Sequence, residues 1–367
     1  MDSERKVLVG MSGGVDSTAA ALLLRKGGWE PVGCMLSLRS GGEEAGRRSC
    51  CTLEDAEDAR AAAARLGMDF YMFNFKDLFR EAVMEDFIAG YRAGRTPNPC
   101  VECNRRVKFD ALLRRADDLG IPRVATGHYA RVDQGPDGRW RLLRGLDRRK
   151  DQSYFLYPLA QRHLRRLLLP VGEFGKEQIR ALAEEAGLVN ARKRDSQDIC
   201  FLPGGDYPGF LERNGVALVQ GDFVDQTGRV LGRHRGLPCY TLGQRRGLGV
   251  SGPEPLYVVG KDAGRNAVIL GPDRALYSRE VWAEAFNWVS LAPIAAPLRV
   301  TGKTRYSQGE AAATLYPPDS RGMVRAVFDE PQRAVTPGQS IVLYLGEAVV
   351  GGGIIAEAAS AAPPPIG

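Results

Sequence analysis

The sequence predicts an α/β amino-terminal domain with helices on both faces of a parallel sheet, then a small, mostly β central domain and a carboxy-terminal β-barrel. Up to residue 125, short apolar runs alternate with helical patterns, which is typical of a parallel sheet. A glycine-rich loop at residues 10–17 joins the first of these runs to a helix. Beyond residue 205, short apolar alternations between Gly and Pro indicate small β modules.

The strands and helices of the first domain follow from periodicity and end signals. Thr52 to Asp55 has the spacing of a capping box, which opens an alanine-rich helix. Gly27-Gly28 and Gly120 end two further helices. The predicted strands are 6–9, 31–36, 70–73 and 123–125, and the predicted helices are 18–26, 52–66, 76–93 and 104–119.

The pattern changes after Gly127. Apolar runs at 130–132 and 140–143 flank Gly135-Pro136-Asp137-Gly138, which is the signal of a hairpin. Helical patterns then return at residues 161–169 and 176–186.

We expect domains at 1–204, 205–275 and 276–357, followed by a disordered, Ala/Pro-rich tail at 358–367. Turn residues separate the apolar runs of the last two domains at regular spacing. The candidate strands there are 258–259, 267–270, 281–283, 298–300, 311–315, 323–328 and 340–345.

The composition of the 367 residues is ordinary for a globular protein, with 44% hydrophobic and 26% charged residues. No apolar run reaches the ~18 residues that a membrane span needs, and the polar start of the chain does not resemble a signal peptide. We therefore expect a cytoplasmic protein with no membrane partner. The formal charge is +6, and basic residues cluster at 139–150, 162–166 and 192–194. Such clusters fit either a nucleic-acid backbone or a solvated surface.

The loop at residues 10–17 has the features of a phosphate cradle. Its glycines allow a close approach to an anion, and the N-terminus of the next helix adds partial positive charge. Asp16 suits this position if a divalent cation bridges it to phosphate. The loop has neither a Walker A ending nor a Gly-x-Gly-x-x-Gly pattern, and it resembles the pyrophosphate loop of the N-type ATP pyrophosphatases. It therefore predicts an ATP site and an adenylating enzyme.

Two cysteines lie in surroundings that favour a reactive thiolate. Cys103 lies at or near the N-terminus of the predicted 104–119 helix, where the helix dipole lowers a thiol pKa. Cys200 follows the basic residues Lys193 and Arg194. Together with an ATP site, the two thiols suggest sulfur or acyl chemistry with a persulfide on one of them.

Other interpretations of the cysteines stay open. Cys100 and Cys103 form a C-x-x-C pair, which is half of a zinc or iron–sulfur site. Cys50, Cys51 or Cys200 would have to complete it. Inert buried thiols are the simplest alternative, and we expect them at Cys34 and Cys239.

Short segments spread over residues 5–357 resemble, in order, the motifs of the tRNA-specific 2-thiouridylases. Each segment alone is modest evidence for this family, but together they cover nearly the whole chain and are highly specific to it. The segments are 10–17, 94–99, 103–104, 125–129, 150–156, 195–196, 199–201, 241–245, 303–306 and 336–339.

This resemblance implies ATP-dependent thiolation at C2 of the wobble uridine of tRNA. ATP with Mg²⁺ would adenylate uracil O2, and a cysteine desulfurase or sulfur-relay protein would supply persulfide sulfur. Cys200 would carry the persulfide, and Cys103 would be the nucleophile that releases the sulfur by forming a transient disulfide with Cys200. The implied ATP contacts are Gly10, Met11, Ser12, Gly13, Gly14, Val15, Asp16, Ser17, Met35 and Gly127; the implied target-base contacts are Asn98, Pro99 and Cys100; the implied tRNA contacts are His128, Lys150, Asp151, Gln152, Arg305, Tyr306 and Gln339.

One position departs from the family, which often has Asp where this chain has Cys100. A thiol cannot act as base or ligand in the same way as a carboxylate, so the role of Cys100 is open. Two other functions remain as alternatives. One is an amidotransferase or ligase that adenylates its substrate, although the chain has no glutaminase segment. The other is an RNA-binding module with a metal cluster and a regulatory nucleotide loop.

Overall fold

A computed structural model describes residues 3–38, 52–191, 193 and 199–359. The α-helices are α1 (Val15–Lys26), α2 (Leu53–Arg65), α3 (Lys76–Phe79), α4 (Asp86–Arg92), α5 (Pro99–Glu102), α6 (Leu112–Asp118), α7 (Gln161–Leu164), α8 (Lys176–Glu185) and α9 (Tyr207–Arg213). The strands are β1 (Lys6–Gly10), β2 (Glu30–Ser37), β3 (Phe70–Asn74), β4 (Arg123–Thr126), β5 (Ala130–Gln134), β6 (Trp140–Arg144), β7 (Leu167–Leu168), β8 (Gly221–Asp225), β9 (Val230–His234), β10 (Tyr257–Asp262), β11 (Ala267–Gly271), β12 (Tyr277–Trp288), β13 (Leu298–Lys303), β14 (Ala311–Leu315), β15 (Val324–Arg333), β16 (Ser340–Leu345) and β17 (Ala348–Ala359).

The amino-terminal sheet is parallel and has the strand order β3-β2-β1-β4-β7. Side chains of β1 alternate between its two faces, so that Val7 and Val9 enter one apolar core and Leu8 enters the other. Helices α1, α2 and α8 contribute to the first core, and α6 contributes to the second. The predicted α/β fold with both faces covered is confirmed.

The other two sheets are those of the β-rich part of the chain. Strands β10-β11-β8-β9 form a four-stranded sheet around Phe223 and Val258. Strands β12-β15-β14-β13-β16-β17 form a six-stranded barrel, which the pairing of β12 with β17 closes. The β5–β6 hairpin extends this sheet through the pair Leu143–Ala348, so a segment from the first half of the chain joins the barrel.

Some elements differ from the sequence prediction. The helix predicted at 161–169 ends at Leu164, because Leu167 and Leu168 pair with β4 as the edge strand of the parallel sheet. The sequence patterns also missed α9, β8, β9 and β17. Strand β17 runs to Ala359, two residues into the segment for which we expected disorder, and residues 360–367 lie outside the described part.

Two helical segments contain π-helical turns, at Arg80–Glu85 and at Cys103–Ala111. Such turns often mark functional sites, and the second begins at a predicted catalytic residue. Within the described ranges, no helix is both long enough and apolar enough to cross a membrane.

Candidate functional site

The phosphate loop leaves the carboxyl end of β1 and enters α1. The backbone N–H of Ser12 donates to Oγ of Ser17 at 3.1 Å, and Ser17 Oγ donates to the carbonyl of Gly14 at 3.1 Å. Gly13 has φ +73°, and a Cβ there would lie 2.4 Å from the carbonyl oxygen of Asp55. Gly14 precedes α1 without a side-chain cap, so the first N–H groups of α1 are suited to an anion.

The neighbouring strand ends complete one side of the loop. A Cβ at Gly127 would lie 2.5 Å from the backbone nitrogen of Ser17, so only glycine lets β4 approach α1 so closely. Met35 is buried on β2, and the N–H of Met11 donates to the carbonyl of Cys34 at 2.7 Å. These predicted ATP contacts therefore gather at the carboxyl ends of parallel strands, where α/β folds bind ligands. Their contact with ATP stays a prediction.

Asp16 on α1 interacts with two side chains that the sequence patterns did not single out. Nζ of Lys176, the buried first residue of α8, lies 2.8 Å from each carboxylate oxygen of Asp16. The hydroxyl of Tyr129 donates to the same carboxylate at 2.7 Å. The loop thus has a lysine beside it without a Walker A motif. Nothing in the spacing of residues 16 and 176 indicates this pair.

Asn190 holds the other side of the loop, and Lys193 holds the start of α2 beside it. Nδ2 of Asn190 donates to the carbonyl of Gly13 at 3.1 Å and to Thr18 Oγ1 at 2.8 Å. Lys193 Nζ lies 2.7 Å from Asp55 and 2.6 Å from Asp58 of α2. Partial burial lowers the pKa of Lys193, but its hydrogen bonds to both carboxylates outweigh that effect and raise it. Asp195 and Ser196 lie outside the described residues.

The two predicted catalytic cysteines border the same apolar cluster. Cys103 is buried in it among Phe87 and Val107, and the half-buried Cys200 packs against it. The expected helix start at Asn104 is wrong, because the helix begins at Pro99. Cys103 therefore lies in the second helical turn, where the dipole effect is weak. The catalytic roles of Cys103 and Cys200 stay predictions.

The barrel holds the segment that leads into the helix of Cys103. Nε2 of Gln339 donates to the carbonyl of Thr96 at 2.8 Å, and the N–H of Thr96 donates to the carbonyl of Pro337 at 3.0 Å. Gly338 has φ +89°, and a Cβ there would lie 2.9 Å from the nitrogen of Thr96. We call residues 336–339 the barrel clamp. It fixes the chain two residues before Asn98, which caps the helix without a side-chain hydrogen bond.

Several predicted tRNA contacts have their side chains engaged inside the protein. Nη2 of Arg305 donates to the carbonyls of Leu242 and Ala334 at 3.2 and 2.8 Å. His128 is buried, and its Nδ1 lies 2.8 Å from Oγ1 of Thr126. Burial, and then Lys108, hold the pKa of His128 well below its usual value, so the ring is neutral. Oε1 of Gln152 accepts from the N–H of Tyr129 at 2.9 Å.

The more accessible tRNA candidates lie together beside the barrel. Tyr306 is 37% exposed, and its ring centroid lies 4.4 Å from that of the half-buried Phe155. Asp151 acts electrostatically on Tyr306 and accepts from the N–H groups of Gly145 and Ser153 at 3.0 and 3.1 Å. The half-exposed Lys150 precedes Asp151 in the chain, and the ammonium of Lys303 lies 5.4 Å from the ring centroid of Tyr306. An aromatic surface with a nearby ammonium suits an RNA base and its phosphate.

Much of the basic cluster at 139–150 joins the hairpin to the barrel. Arg139 donates to the carbonyls of Trp288 and Val289, while Arg144 and Arg148 form ion pairs with Glu310 and Glu347. This role was not among the expected ones. Composition gave no sign of it, because the four acceptor residues are each more than 130 residues away in the sequence.

The described residues contain no group of three His, Cys, Asp or Glu side chains placed to hold a metal ion. Cys50 and Cys51, which were candidates to complete a Cys100–Cys103 site, lie outside the described residues. Cys34 and Cys239 are buried thiols, as expected.

Comparison with known proteins gives matches over nearly the whole chain. A family model described as the tRNA methyl transferase HUP domain matches residues 5–204. Models of a tRNA methyl transferase PRC-barrel domain and an aminomethyltransferase β-barrel domain match 209–272 and 278–355. The tRNA-specific 2-thiouridylase MnmA of Acetivibrio thermocellus is 47% identical over 358 residues, which cover 96% of this chain and 99% of that protein.

The chain belongs to the tRNA-specific 2-thiouridylase family. The protein of the same description from Chloroflexus aurantiacus is 48% identical over 354 residues, which cover 96% of this chain and 98% of that protein. The one from Moorella thermoacetica is 47% identical over 356 residues, which cover 96% of this chain and 99% of that protein. The resemblance drawn from the sequence motifs is therefore confirmed.

Proposed function

We propose that the protein catalyses ATP-dependent 2-thiolation of the wobble uridine of tRNA, as a transferase that produces 2-thiouridine, AMP and pyrophosphate. The observation that carries the proposal is the combination of the 10–17 loop with Cys103 and Cys200 on one apolar cluster. The loop is suited to ATP, and the two thiols are suited to sulfur transfer.

The nucleotide would lie across the carboxyl ends of β1, β2 and β4. The free N–H groups at the start of α1 would bind the pyrophosphate part, and Lys176 would share its charge between phosphate and Asp16. Mg²⁺ would neutralise charge on the phosphates, and the Asp16 carboxylate is the side chain of the loop that could hold it. Nucleophilic O2 of uracil would attack the α-phosphate, and pyrophosphate would leave.

The sulfur-transfer step would use both cysteines. A donor protein would convert the Cys200 thiol into a persulfide. The outer sulfur would attack C2 of the adenylated uracil, and AMP would leave with the former O2. The thiolate of Cys103 would then attack the inner sulfur of Cys200, which breaks the S–S bond, leaves the outer sulfur on the base and forms a Cys103–Cys200 disulfide. A dithiol reductant would restore both thiols.

The target base would reach the helix of Cys103 next to Tyr306 and Phe155. Nδ2 of Asn104 donates to the carbonyl of Phe155 at 3.3 Å, which connects this helix to the aromatic pair. A wobble base that leaves its stack exposes an aromatic face and its Watson–Crick edge. Stacking on Tyr306 would offset part of the lost stacking energy.

The proposal is tested by incubating the protein with unmodified tRNA, ATP, Mg²⁺, cysteine and a cysteine desulfurase, and by analysing the nucleosides by mass spectrometry. We expect 2-thiouridine at the wobble position, with AMP and pyrophosphate formed in equal amounts. Omission of ATP is the control. Sulfur incorporation that does not need ATP, or that occurs at another base, would contradict the proposal.

A further inference from the structure

The turn that carries Cys200 packs on an apolar cluster. The N–H of Leu202 donates to the carbonyl of Ile199 at 2.9 Å, which places the half-buried Cys200 at the second position of the turn. Phe201 and Leu202 are buried in the cluster that also contains Cys103, and Ile199 packs against it. The residues on both sides of Cys200 are therefore anchored in one core.

Phe201 lies among three other phenylalanine rings. Its ring centroid is 5.3 Å from that of Phe87 at an interplanar angle of 88°, and 5.9 Å from that of Phe79 at 75°. Phe210 lies 5.2 Å from Phe201 and 6.0 Å from Phe87. Edge-to-face pairs at such distances stabilise a fold beyond the burial of their area. We call these four rings the phenylalanine cage.

The cage contains rings from two domains. Phe79 ends α3 and Phe87 lies on α4, both in the amino-terminal domain. Phe210 lies on α9, within the range 209–272 that the PRC-barrel model matches. The core around the Cys200 turn is therefore completed by a side chain of the central domain.

Helix α9 has contacts with both domains, whereas its connection to the turn contains two glycines. The hydroxyl of Tyr207 donates to the carbonyl of Cys239 at 3.0 Å, and its ring centroid lies 5.4 Å from that of Tyr91 on α4. Gly204 and Gly205 both have φ +73°, and a Cβ at either would meet no described neighbour within 4 Å. Because glycine adopts many backbone conformations, this connection restrains the turn weakly. Ring packing in the cage is the stronger restraint.

We propose that Phe201 and Phe210 are positioning residues, which hold the thiol of Cys200 against the cluster in which Cys103 is buried. The two cysteines are about 100 residues apart in the sequence, so the fold sets the effective concentration of one thiol at the other. The catalytic consequence rests on the proposed thiolation, in which these thiols form a disulfide. The inference gives the central domain a part in the sulfur step.

The test measures the effective concentration of the two thiols in the full-length protein. Mixtures of oxidised and reduced glutathione exchange with the protein: the Cys103 and Cys200 thiols become one disulfide, and one oxidised glutathione becomes two reduced molecules. Alkylation and peptide mass spectrometry give the fraction of this disulfide and separate it from any that contains Cys100. This readout needs neither ATP nor tRNA, so it does not depend on the proposed activity.

The variants compare two buried rings of the central domain. Phe210→Leu removes a ring of the cage, and we expect the effective concentration to fall by about tenfold or more, because the thiol is misplaced. Phe223→Leu is the matched control: its ring is fully buried in the central sheet, 5.1 Å from that of Tyr240, and is not part of the cage. We expect this variant to stay within about twofold of the wild type, since distant sites act independently. Phe210→Met, which fills more of the space, replaces Phe210→Leu if the latter does not fold.

A single turnover with persulfide-loaded protein, tRNA and ATP connects the positioning to the reaction. We expect Phe210→Leu to form 2-thiouridine about tenfold more slowly, while AMP appears at the wild-type rate. If the wild type forms no 2-thiouridine, the proposed function fails, and the glutathione measurement still decides the positioning. A wild-type effective concentration in a folded Phe210 variant, an equal fall in Phe223→Leu, or a wild type without the Cys103–Cys200 disulfide would overturn the proposal.

Discussion

The ammonium of Lys176 lies 2.8 Å from both carboxylate oxygens of Asp16, in the first turn of the helix that follows the phosphate loop. The side chain of Lys176 is 8% exposed and that of Asp16 is 29% exposed. The lysine therefore keeps a cation close to the N-terminus of α1 before any nucleotide is present. It places a positive charge beside the loop, whose own residues include none.

Replacing Lys176 should impair both stability and the use of ATP. In Lys176→Met the Asp16 charge stays partly buried without its counter-ion, which costs about 3 kcal/mol. We expect a lower unfolding midpoint and a KM for ATP raised by about tenfold or more, since the phosphates lose a cation. Lys176→Arg is the control that keeps the charge. An unchanged KM for ATP in Lys176→Met would contradict this role.

The barrel clamp should affect chemistry on tRNA but not the binding of ATP. In Gly338→Ala the new Cβ would meet the nitrogen of Thr96 at 2.9 Å, which shifts the chain before Asn98. We expect kcat for tRNA thiolation to fall by about tenfold, because a small misplacement of reacting groups costs about that much or more. The KM for ATP should stay unchanged, since the 10–17 loop is not touched.

A matched control for the clamp exists in the same barrel. Gly322 also has a positive φ, of +77°, but a Cβ there meets nothing within 4 Å. Gly322→Ala therefore imposes similar backbone strain without the contact to Thr96. If Gly322→Ala lowers kcat as much as Gly338→Ala does, strain in the barrel and not the clamp is responsible.

His128 should make the amino-terminal domain less stable in mild acid. Its pKa in the folded protein is well below the value near 6.5 of an unfolded histidine, because the ring is buried. Below about pH 6.5 the unfolded chain binds a proton that the folded one does not, so stability falls by up to about 1.4 kcal/mol per pH unit. Above that pH the contribution is constant.

Hydrogen exchange of β4 at about pH 7.5 and about pH 5.5 measures this effect, after correction for the intrinsic exchange rate. His128→Gln removes the pH-dependent contribution of residue 128 to stability. The contributions of His163 and His234, whose pKa values burial also lowers, remain. We expect a smaller loss of protection in the variant. An equal loss in both proteins would show that His128 does not contribute.

The strands and helices of the fold were largely predictable, because the patterns that indicate them depend on residues close together in the sequence. The alternation of strands and helices and the capping box at Thr52 were recognisable, and the structure has both. Loop glycines at 13 and 14 marked the strand-to-helix loop at residues 10–17, which the structure has, while its binding of phosphate stays a prediction. The contacts of Lys176, Asn190 and Lys193 with this region were not predictable, because more than 130 residues separate each of them from its partner. The same holds for the barrel clamp on Thr96.

The prediction from the sequence was wrong for two elements whose local pattern is ambiguous. Leu167 and Leu168 continue an apolar helical period, yet they form an edge strand because β4 offers unpaired backbone groups. The prolines at 97 and 99 suggested an extended lead to a helix at Asn104. Pro99 instead occupies the first helical turn, where its missing N–H costs nothing.

Tyr306 should bind RNA through its ring and not through its hydroxyl. Tyr306→Ala removes the ring that stacks near Phe155, and we expect tRNA affinity at fixed salt to fall by about tenfold, a typical value for one lost stacking contact. Tyr306→Phe keeps the aromatic face and should bind nearly as tightly as the wild type. Fluorescence anisotropy with labelled tRNA measures both. Equal weakening in the two variants would assign the contact to the hydroxyl.

The most direct measurement follows isotopically labelled sulfur from Cys200 to tRNA. The protein is loaded by a cysteine desulfurase with labelled cysteine, freed of the donor, and then mixed with tRNA, ATP and Mg²⁺ for a single turnover. We predict that labelled persulfide on the Cys200 peptide is lost as labelled 2-thiouridine appears at the wobble position, and that Cys103→Ser and Cys200→Ser bind tRNA but yield none. Labelled 2-thiouridine formed by Cys200→Ser would contradict it.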